Sequence, residues 1–298
     1  MLTVTSLSVT FPGNLHVVRD AMFSVEAGGF TALVGESGCG KSVSAMSITR
    51  LPPTHTAQVS GTALFQGKDL LTLSSADLRR IRGKGISYIF QDPANSLNPV
   101  LKIGTQLCET GITLSEAGQL LKHVMLPETT LKRYPHELSG GMQQRVMIAM
   151  AIASNPSLLI ADEPTTALDV TTQHDILSLL ESLRKERNMG ILLITHNLGL
   201  VARFAQTAYV MYAGQTVEAG DVHSLLHHPR HPYTQGLLRA VPRLGMTSID
   251  ELQGIPGRVP SPLHWPVGCS FAPRCPRATA RCAVEMPGFE DGVRCFSF

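Results

Sequence analysis

The sequence has no long apolar run. Its longest, such as VMIAMAIA (146–153), stay far below the roughly 18 residues that a membrane span needs. It has almost no net charge: 25 Lys and Arg against 23 Asp and Glu leave a formal +2, which supplies no basic surface for nucleic acid. No charged segment leading into an apolar stretch opens the chain. MLTVTSLSVTF alternates as a strand does, and the expectation is a protein kept in the cytoplasm. There is no internal repeat and no heptad register. Cysteine is sparse at first, with Cys39 and Cys108 standing alone, and then Cys269, Cys275, Cys282 and Cys295 crowd the last thirty residues. Their spacing, C-x5-C-x6-C-x12-C, lacks the tight C-x2-C pairs of zinc ribbons. In a cytosolic chain such a cluster points to metal ligands more than to disulfides.

What is present is sharper. LVGESGCGKS (33–42) matches G-x-x-x-x-G-K-[ST] at Gly35, Gly40, Lys41 and Ser42. Glycines admit positive φ and let backbone N–H groups approach a ligand; N–H groups gathered at a helix start bind phosphate. Glu36, Ser37, Gly38 and Cys39 complete this loop, with Cys39 read as a small loop residue and not a redox group. Lys41 would reach the β- and γ-phosphates and the Ser42 hydroxyl would ligate Mg²⁺. The flanks agree: FTALV reads as a buried strand, and KSVSAMSITR as a short helix stopped by Pro52 and Pro53. A glycine-rich turn by chance would not match four fixed positions and both flanks.

Strands alternate with helices along the chain, which argues for an α/β core with a mainly parallel sheet. LTVTSLSVTF, AMFSVEAGGFTALV, GTALFQGKDL (turning at Gly67) and KGISYIFQ read as strands. SEAGQLLKHVML and GGMQQRVMIAMAIA read as helices. SLLIADEP is a buried strand, TTQHDILSLLESLRKERN an amphipathic helix, GILLITH a strand, and YVMYAGQTVEAG a hairpin turning at Ala213-Gly214. Beyond about Pro229 the composition shifts to Pro, Arg, Gly and Cys, and the expectation is a separate appendage.

Two further stretches carry chemistry. In SLLIADEP, Asp162 and Glu163 fall at a strand end, where ligands of parallel sheets bind; an Asp there can hold Mg²⁺ through water and a second carboxylate can orient the attacking water. In LSGGMQQR (138–145), Ser139 opens a helix, so its hydroxyl and the N–H groups of Gly140 and Gly141 face whatever approaches that end. A solvated acidic pair and a plain helix cap are the bland alternatives. Neither explains why the two stretches follow a phosphate loop in this order.

Together these motifs resemble the nucleotide-binding subunit of an ABC transporter. LSGGMQQ is similar to the family signature, Gln91 to its Q-loop, Ala167-Leu168-Asp169 to its D-loop and His196 to its switch histidine, in the family order over about residues 1 to 225. The resemblance implies an ABC-type P-loop ATPase core containing an antiparallel β subdomain, a helical subdomain and a Cys-rich C-terminal extension. It divides the chain into 1–91 (first half of the core), 92–138 (helical signature subdomain), 139–228 (second half) and 229–298 (extension). It implies that Phe11 stacks on adenine, that Ser42, Gln91 and Asp162 surround Mg²⁺, that Glu163 is the general base or water-orienting group, and that His196 contacts the γ-phosphate. Ser139, Gly140 and Gly141 would close over the ATP of a second cassette. Asn197 stands where the family usually has Asp, Thr166 where many members have Ser, and the helical subdomain is about ten residues short.

The tail narrows the group. HPRHPYTQGLLRAVPRL, GIPGRVPSP and GCSFAPRCPRATARC resemble the extension of oligopeptide, dipeptide and nickel importer ATPases, as do IFQDPANSLNPV and RYPHELSGGMQQRVMIAMAIA. The implied partners are a second ATP-binding subunit, paralogous or identical, two transmembrane permeases and an extracytoplasmic substrate-binding protein, at the cytoplasmic face of the inner membrane. Peptides are the expected cargo, with nickel or a metallophore as the alternative and a soluble, non-transport ABC ATPase as a distant one. The resemblance favours a 4Fe–4S cluster on Cys269, Cys275, Cys282 and Cys295, with zinc and no metal left open. His223, His227, His228 and His231 are close together, but HHPRHP reads as a polar, proline-broken loop and not a nickel site.

Overall fold

The computed structural model describes residues 1–52, 54, 56–166, 168–242 and 254–297. Pro53, Ala167, Arg243 and Leu244, used in the reading above, lie outside them. The chain forms two compact units. The first comprises 1–25, 31–73 and 194–298, and the second 26–30 and 74–193.

The first unit carries β1 (Leu2–Phe11), β2 (Leu15–Val25), β3 (Phe30–Val34), β4 (Gln58–Phe65), β5 (Lys68–Asp69) and, after the second unit, β9 (Thr207–Tyr212) and β10 (Gln215–Asp221). Their order is β5-β4-β1-β2-β10-β9-β3. The sheet is mixed. Neighbours joined by short turns run antiparallel, β1 with β2, β4 with β5 and β9 with β10, and β1 also pairs antiparallel with β4 on its other side. The β9–β10 turn has Ala213 and Gly214 at φ 50 and 77, and the β4–β5 turn has Gln66 and Gly67 at φ 50 and 80. β3 pairs with β9 in parallel, Leu33 opposite Tyr209. All five residues of β3 are buried, the uniform apolar pattern of a strand covered on both faces.

In the second unit, β6 (Ile86–Ile89) and β7 (Leu158–Asp162) run parallel, Ile86 opposite Leu158, and β7 is buried throughout. β8 (Gly190–Thr195), also buried, carries the chain back to the first unit. Three helices follow from sequence. Leu114–His123 has a reciprocal capping box of Thr113 and Glu116, Gly140–Ile152 is capped by Ser139, and Val170–Arg187 is capped by Asp169. The helix after the phosphate loop stops at Ser47, short of the full KSVSAMSITR segment.

The tail corrects one expectation. It is not a separate appendage. Tyr233, on the helix Pro232–Arg239, and Phe271 are buried in one cluster with Val34, Val210 and Tyr212, and Trp265, Cys269 and Cys275 pack against it. The ring centroids of Tyr212 and Tyr233 lie 4.6 Å apart, and those of Tyr212 and Phe271 5.2 Å. The last residues extend β10: Ala219 N–H donates to Gly292 O at 2.8 Å and Arg294 N–H to Val217 O at 2.8 Å. Arg294 is itself buried, its guanidinium donating to Thr216 O, to Pro287 O and, at 2.6 Å, to Asp20 Oδ2. A segment with few apolar residues thus borrows a core from the strands beneath it and satisfies its arginines on carbonyls and a carboxylate.

Candidate functional site

In the first unit the phosphate loop lies between β3 and the helix Lys41–Ser47. Gly38 and Gly40 have φ 81 and 97, a region an L side chain rarely enters. Gly35 is required for space, since a Cβ there would press into the Met211 carbonyl and come within 2.8 Å of Cys39 Sγ. Gly214 N–H donates to Cys39 O at 3.0 Å, tying the loop to the β9–β10 turn. Cys39 is fully buried, and that burial pushes its thiol up despite nearby Lys41. Lys41 is buried as well. Its Nζ donates to Gly35 O at 2.8 Å and to Glu36 O at 3.1 Å, so the loop curls around the ammonium. No side chain caps the helix at Gly40. The first-turn amides, the buried cation and the glycines that no Cβ could replace form a donor set that fits the phosphates of a nucleoside triphosphate.

Glu36 is held from the tail at both its amide and its side chain. Its N–H donates to Tyr233 Oη at 2.9 Å, and its carboxylate accepts from Arg274 at 2.8 and 3.1 Å. Burial and neighbouring charge push the Tyr233 hydroxyl up, so it remains a neutral partner. Neither partner was legible as such in the sequence, although HPYT and PRC, which contain them, are part of the tail's resemblance. Phe11 ends β1 opposite Leu15, half-buried at the Pro12-Gly13-Asn14 turn. His196 is exposed just after β8. Its neighbour Asn197 caps the helix Leu198–Phe204 by accepting from Gly199 N–H at 3.0 Å and Leu200 N–H at 3.3 Å. An Asp could cap in the same way, so the departure at this position costs the fold nothing evident.

In the second unit Asp162 ends β7, buried, and Glu163 follows it at φ 44, a left-handed conformation unusual for a side chain of this size. Gln91 Nε2 donates to Glu163 Oε2 at 3.3 Å, and Thr166 Oγ1 donates to the same oxygen at 2.9 Å. The structure therefore brings Gln91 and Glu163 together across 72 positions and gives Thr166 a contact that the sequence reading did not foresee. Ser139 Oγ accepts from Met142 N–H at 3.4 Å, and Gly140, exposed, and Gly141, half-buried, open the helix. A Cβ on Gly141 would meet Thr172 Cγ2 at 2.9 Å.

In the tail Cys269, Cys275, Cys282 and Cys295 line one cavity together with His231 and Phe271. All six cysteines are free thiols. Among the described residues no group of three or more His, Cys, Asp or Glu side chains is arranged to hold a metal ion, so the geometry of these thiols supports neither the expected 4Fe–4S cluster nor a zinc ion. Burial pushes Cys269 and Cys275 up, while bonds from Thr279 pull Cys282 down. Of the clustered histidines, His223 and His227 lie one turn apart, with ring centroids 4.4 Å apart and planes tilted by 45°. His231 is buried, accepts from Tyr233 N–H at 3.0 Å as a helix cap, and is pushed down to about 3 by that burial.

Comparison with known proteins places these features. Residues 18–166 match the ABC transporter family model, and residues 217–282 match the family described as oligopeptide/dipeptide transporter, C-terminal region. The oligopeptide transport ATP-binding protein OppD of Salmonella typhimurium is 46% identical over 308 residues, covering 98% of this chain and 91% of that one. A putative peptide import ATP-binding protein of Brucella abortus is 47% identical over 302 residues, covering 96% and 90%. Among solved structures, the dimeric ATP-binding cassette MJ0796 bound to ADP and Pi superposes with a TM-score of 0.66 at 25% identity, over 74% of this chain and 99% of that one. The cassette CbiO1 of Clostridium perfringens gives 0.67 at 25% identity, over 76% and 90%. The chain belongs to the ATP-binding cassettes of the ABC transporter family and carries the C-terminal region of its oligopeptide/dipeptide branch.

Proposed function

We propose that the chain is the ATP-hydrolysing subunit of a peptide importer. The observation that carries the catalytic part is the carboxylate of Glu163, following Asp162 at the end of β7, with one oxygen held by both Gln91 and Thr166. A carboxylate fixed in this way suits the orientation of an attacking water. The cargo rests on the relatives, named for peptide and oligopeptide transport along nearly their whole length.

In this reading the amides of 35–42 and Lys41 hold the β- and γ-phosphates, and Phe11 stacks on adenine. Ser42, Gln91 and Asp162 would hold Mg²⁺, which neutralises triphosphate charge when bound. Glu163 orients a water and receives its proton as the water oxygen bonds to the γ-phosphorus and the bond to the ADP oxygen breaks. His196 contacts the γ-phosphate. Ser139, Gly140 and Gly141 close over the nucleotide of a second cassette. Most of the rate comes from positioning and charge stabilisation. The partners are that second cassette, two permeases and an extracytoplasmic binding protein. The chain's attachment point would be the cytoplasmic face of the inner membrane; among the described residues no helix is long and apolar enough to cross a membrane.

Cys269, Cys275, Cys282 and Cys295 would hold an iron–sulfur cluster. Four thiols on one cavity wall are a soft donor set that suits it. A single tetrahedral zinc, with Zn–S near 2.3 Å, needs sulfurs about 3.8 Å apart, a tighter gathering than a cluster that spreads its ligands over four irons. Such a centre would cross-link the tail, and no step of hydrolysis passes through it.

The test is reconstitution with the permeases and binding protein in liposomes. Peptide-loaded binding protein should raise ATP hydrolysis and load labelled peptide into the lumen. Nickel uptake without peptide uptake would replace the cargo. Hydrolysis that no loaded binding protein stimulates would overturn the importer reading.

A further inference from the structure

Arg274 lies 238 positions after the loop residue it holds. It ends the single turn Ala272–Arg274 between Cys269 and Cys275, and its side chain is 4% exposed. Every branch of its guanidinium is used. Nε donates to Pro256 O at 2.8 Å, and Nη2 to Ile255 O at 3.2 Å and Glu36 Oε1 at 3.1 Å. Nη1 donates to Glu36 Oε2 at 2.8 Å and Tyr212 Oη at 3.4 Å. The pair with Glu36 is a two-pronged fork, the strongest and most directional geometry open to an arginine and a carboxylate. At the other end of Glu36, the N–H is held by Tyr233 and the carbonyl by Lys41. One loop residue is therefore fixed by side chain, amide and carbonyl at once, two of the three from the tail.

That arrangement has two consequences for a triphosphate. The amides of the loop are ordered before the ligand arrives, so binding need not supply the ordering. A carboxylate that would otherwise present negative charge beside the phosphates is neutralised by a buried cation. We propose that Arg274 is a positioning residue of the ATP site, through which the C-terminal extension holds the phosphate loop in its binding geometry and cancels the charge of Glu36. The inference rests on the reading of 35–42 as the ATP loop.

The test compares ATP dependence in the assembled transporter. Arg274→Ala should raise KM for ATP about tenfold, a 1.4 kcal/mol loss, while kcat at saturating ATP stays near the parent's, because no reacting atom is touched. Arg274→Ala with Glu36→Ala should recover the part of the lost affinity that the bare carboxylate causes, while the loop order supplied by the fork stays lost. A tail merely loosened by the loss of Arg274 would not be rescued from the loop side. Arg274→Lys keeps the charge but not the fork, so a smaller rise in KM is expected; it serves if the alanine variant does not assemble. An unchanged KM in both single variants, or a double variant no better than Arg274→Ala, overturns the proposal. Lys41→Ala separates the two levels. If it too leaves KM unchanged, the ATP-loop reading has failed; if it alone destroys binding, only the role of Arg274 has.

Discussion

Oε2 of Glu163 accepts from Gln91 Nε2 at 3.3 Å and from Thr166 Oγ1 at 2.9 Å. Both donors hold the carboxylate as an acceptor, the form a general base must have. Glu163→Gln removes the basic carboxylate and keeps the size. ATP hydrolysis by the purified complex should fall about 10²-fold or more, with ATP binding retained and the closed dimer trapped. Hydrolysis at the parental rate would sink the assignment.

Thr166 tests the orientation separately. Thr166→Ser keeps the hydroxyl and should stay near the parental turnover. Thr166→Ala leaves one oxygen of Glu163 less constrained, and kcat should fall by about twofold to twelvefold, about 0.5 to 1.5 kcal/mol, the usual contribution of one hydrogen bond. Equal turnover in the serine and alanine variants would mean that the contact has no part in the reaction.

The loop gives two predictions with different readouts. Lys41→Ala removes the charge facing the β- and γ-phosphates and also the brace on Gly35 O and Glu36 O. Its ATP dissociation constant, measured by titration, should rise at least about tenfold. Gly35→Ala adds a methyl against the Met211 carbonyl and Cys39 Sγ, where the obstacle is partly backbone and cannot swing away. Overpacking of this kind costs about 1–3 kcal/mol. A melting temperature equal to the parent's would contradict the packing described.

What the sequence disclosed and what it hid follow from separation and from residue type. β3, β7 and β8 were readable because a strand covered on both faces is continuously apolar, and the turns at Gly67 and Ala213-Gly214 because positive φ restricts the residues there. The place of Asp162 and Glu163 at the end of such a strand was readable too. The docking of the tail was not, since it depends on Arg274 and Arg294, residues that composition assigns to solvent. Each is buried here against carbonyls and one distant carboxylate, Glu36 or Asp20. Thr166 looked like a simple departure from Ser because nothing local shows that its hydroxyl meets Glu163.

The four thiols on one cavity make the remaining prediction. Cys269 and Cys275 are pushed up by burial, so without a metal they stay protonated, while cluster ligation would bind them as thiolates. Cys269 N–H already donates to Cys282 O at 2.8 Å, so the segments bearing the first and third thiols are tied before any metal enters. Cluster binding would then need only modest adjustment of a tail already docked on the strands, and would stabilise it further. Protein purified without oxygen should contain about four irons and four sulfides per chain and a broad absorption near about 400 nm. Cys275→Ser should remove the colour and lower the melting temperature while leaving the ATP loop able to bind nucleotide. One zinc and no colour would replace the cluster with a mononuclear site. No metal, with an unchanged melting temperature in Cys275→Ser, would leave the docking by Tyr233, Phe271, Arg274 and Arg294 as the sole anchor of the tail.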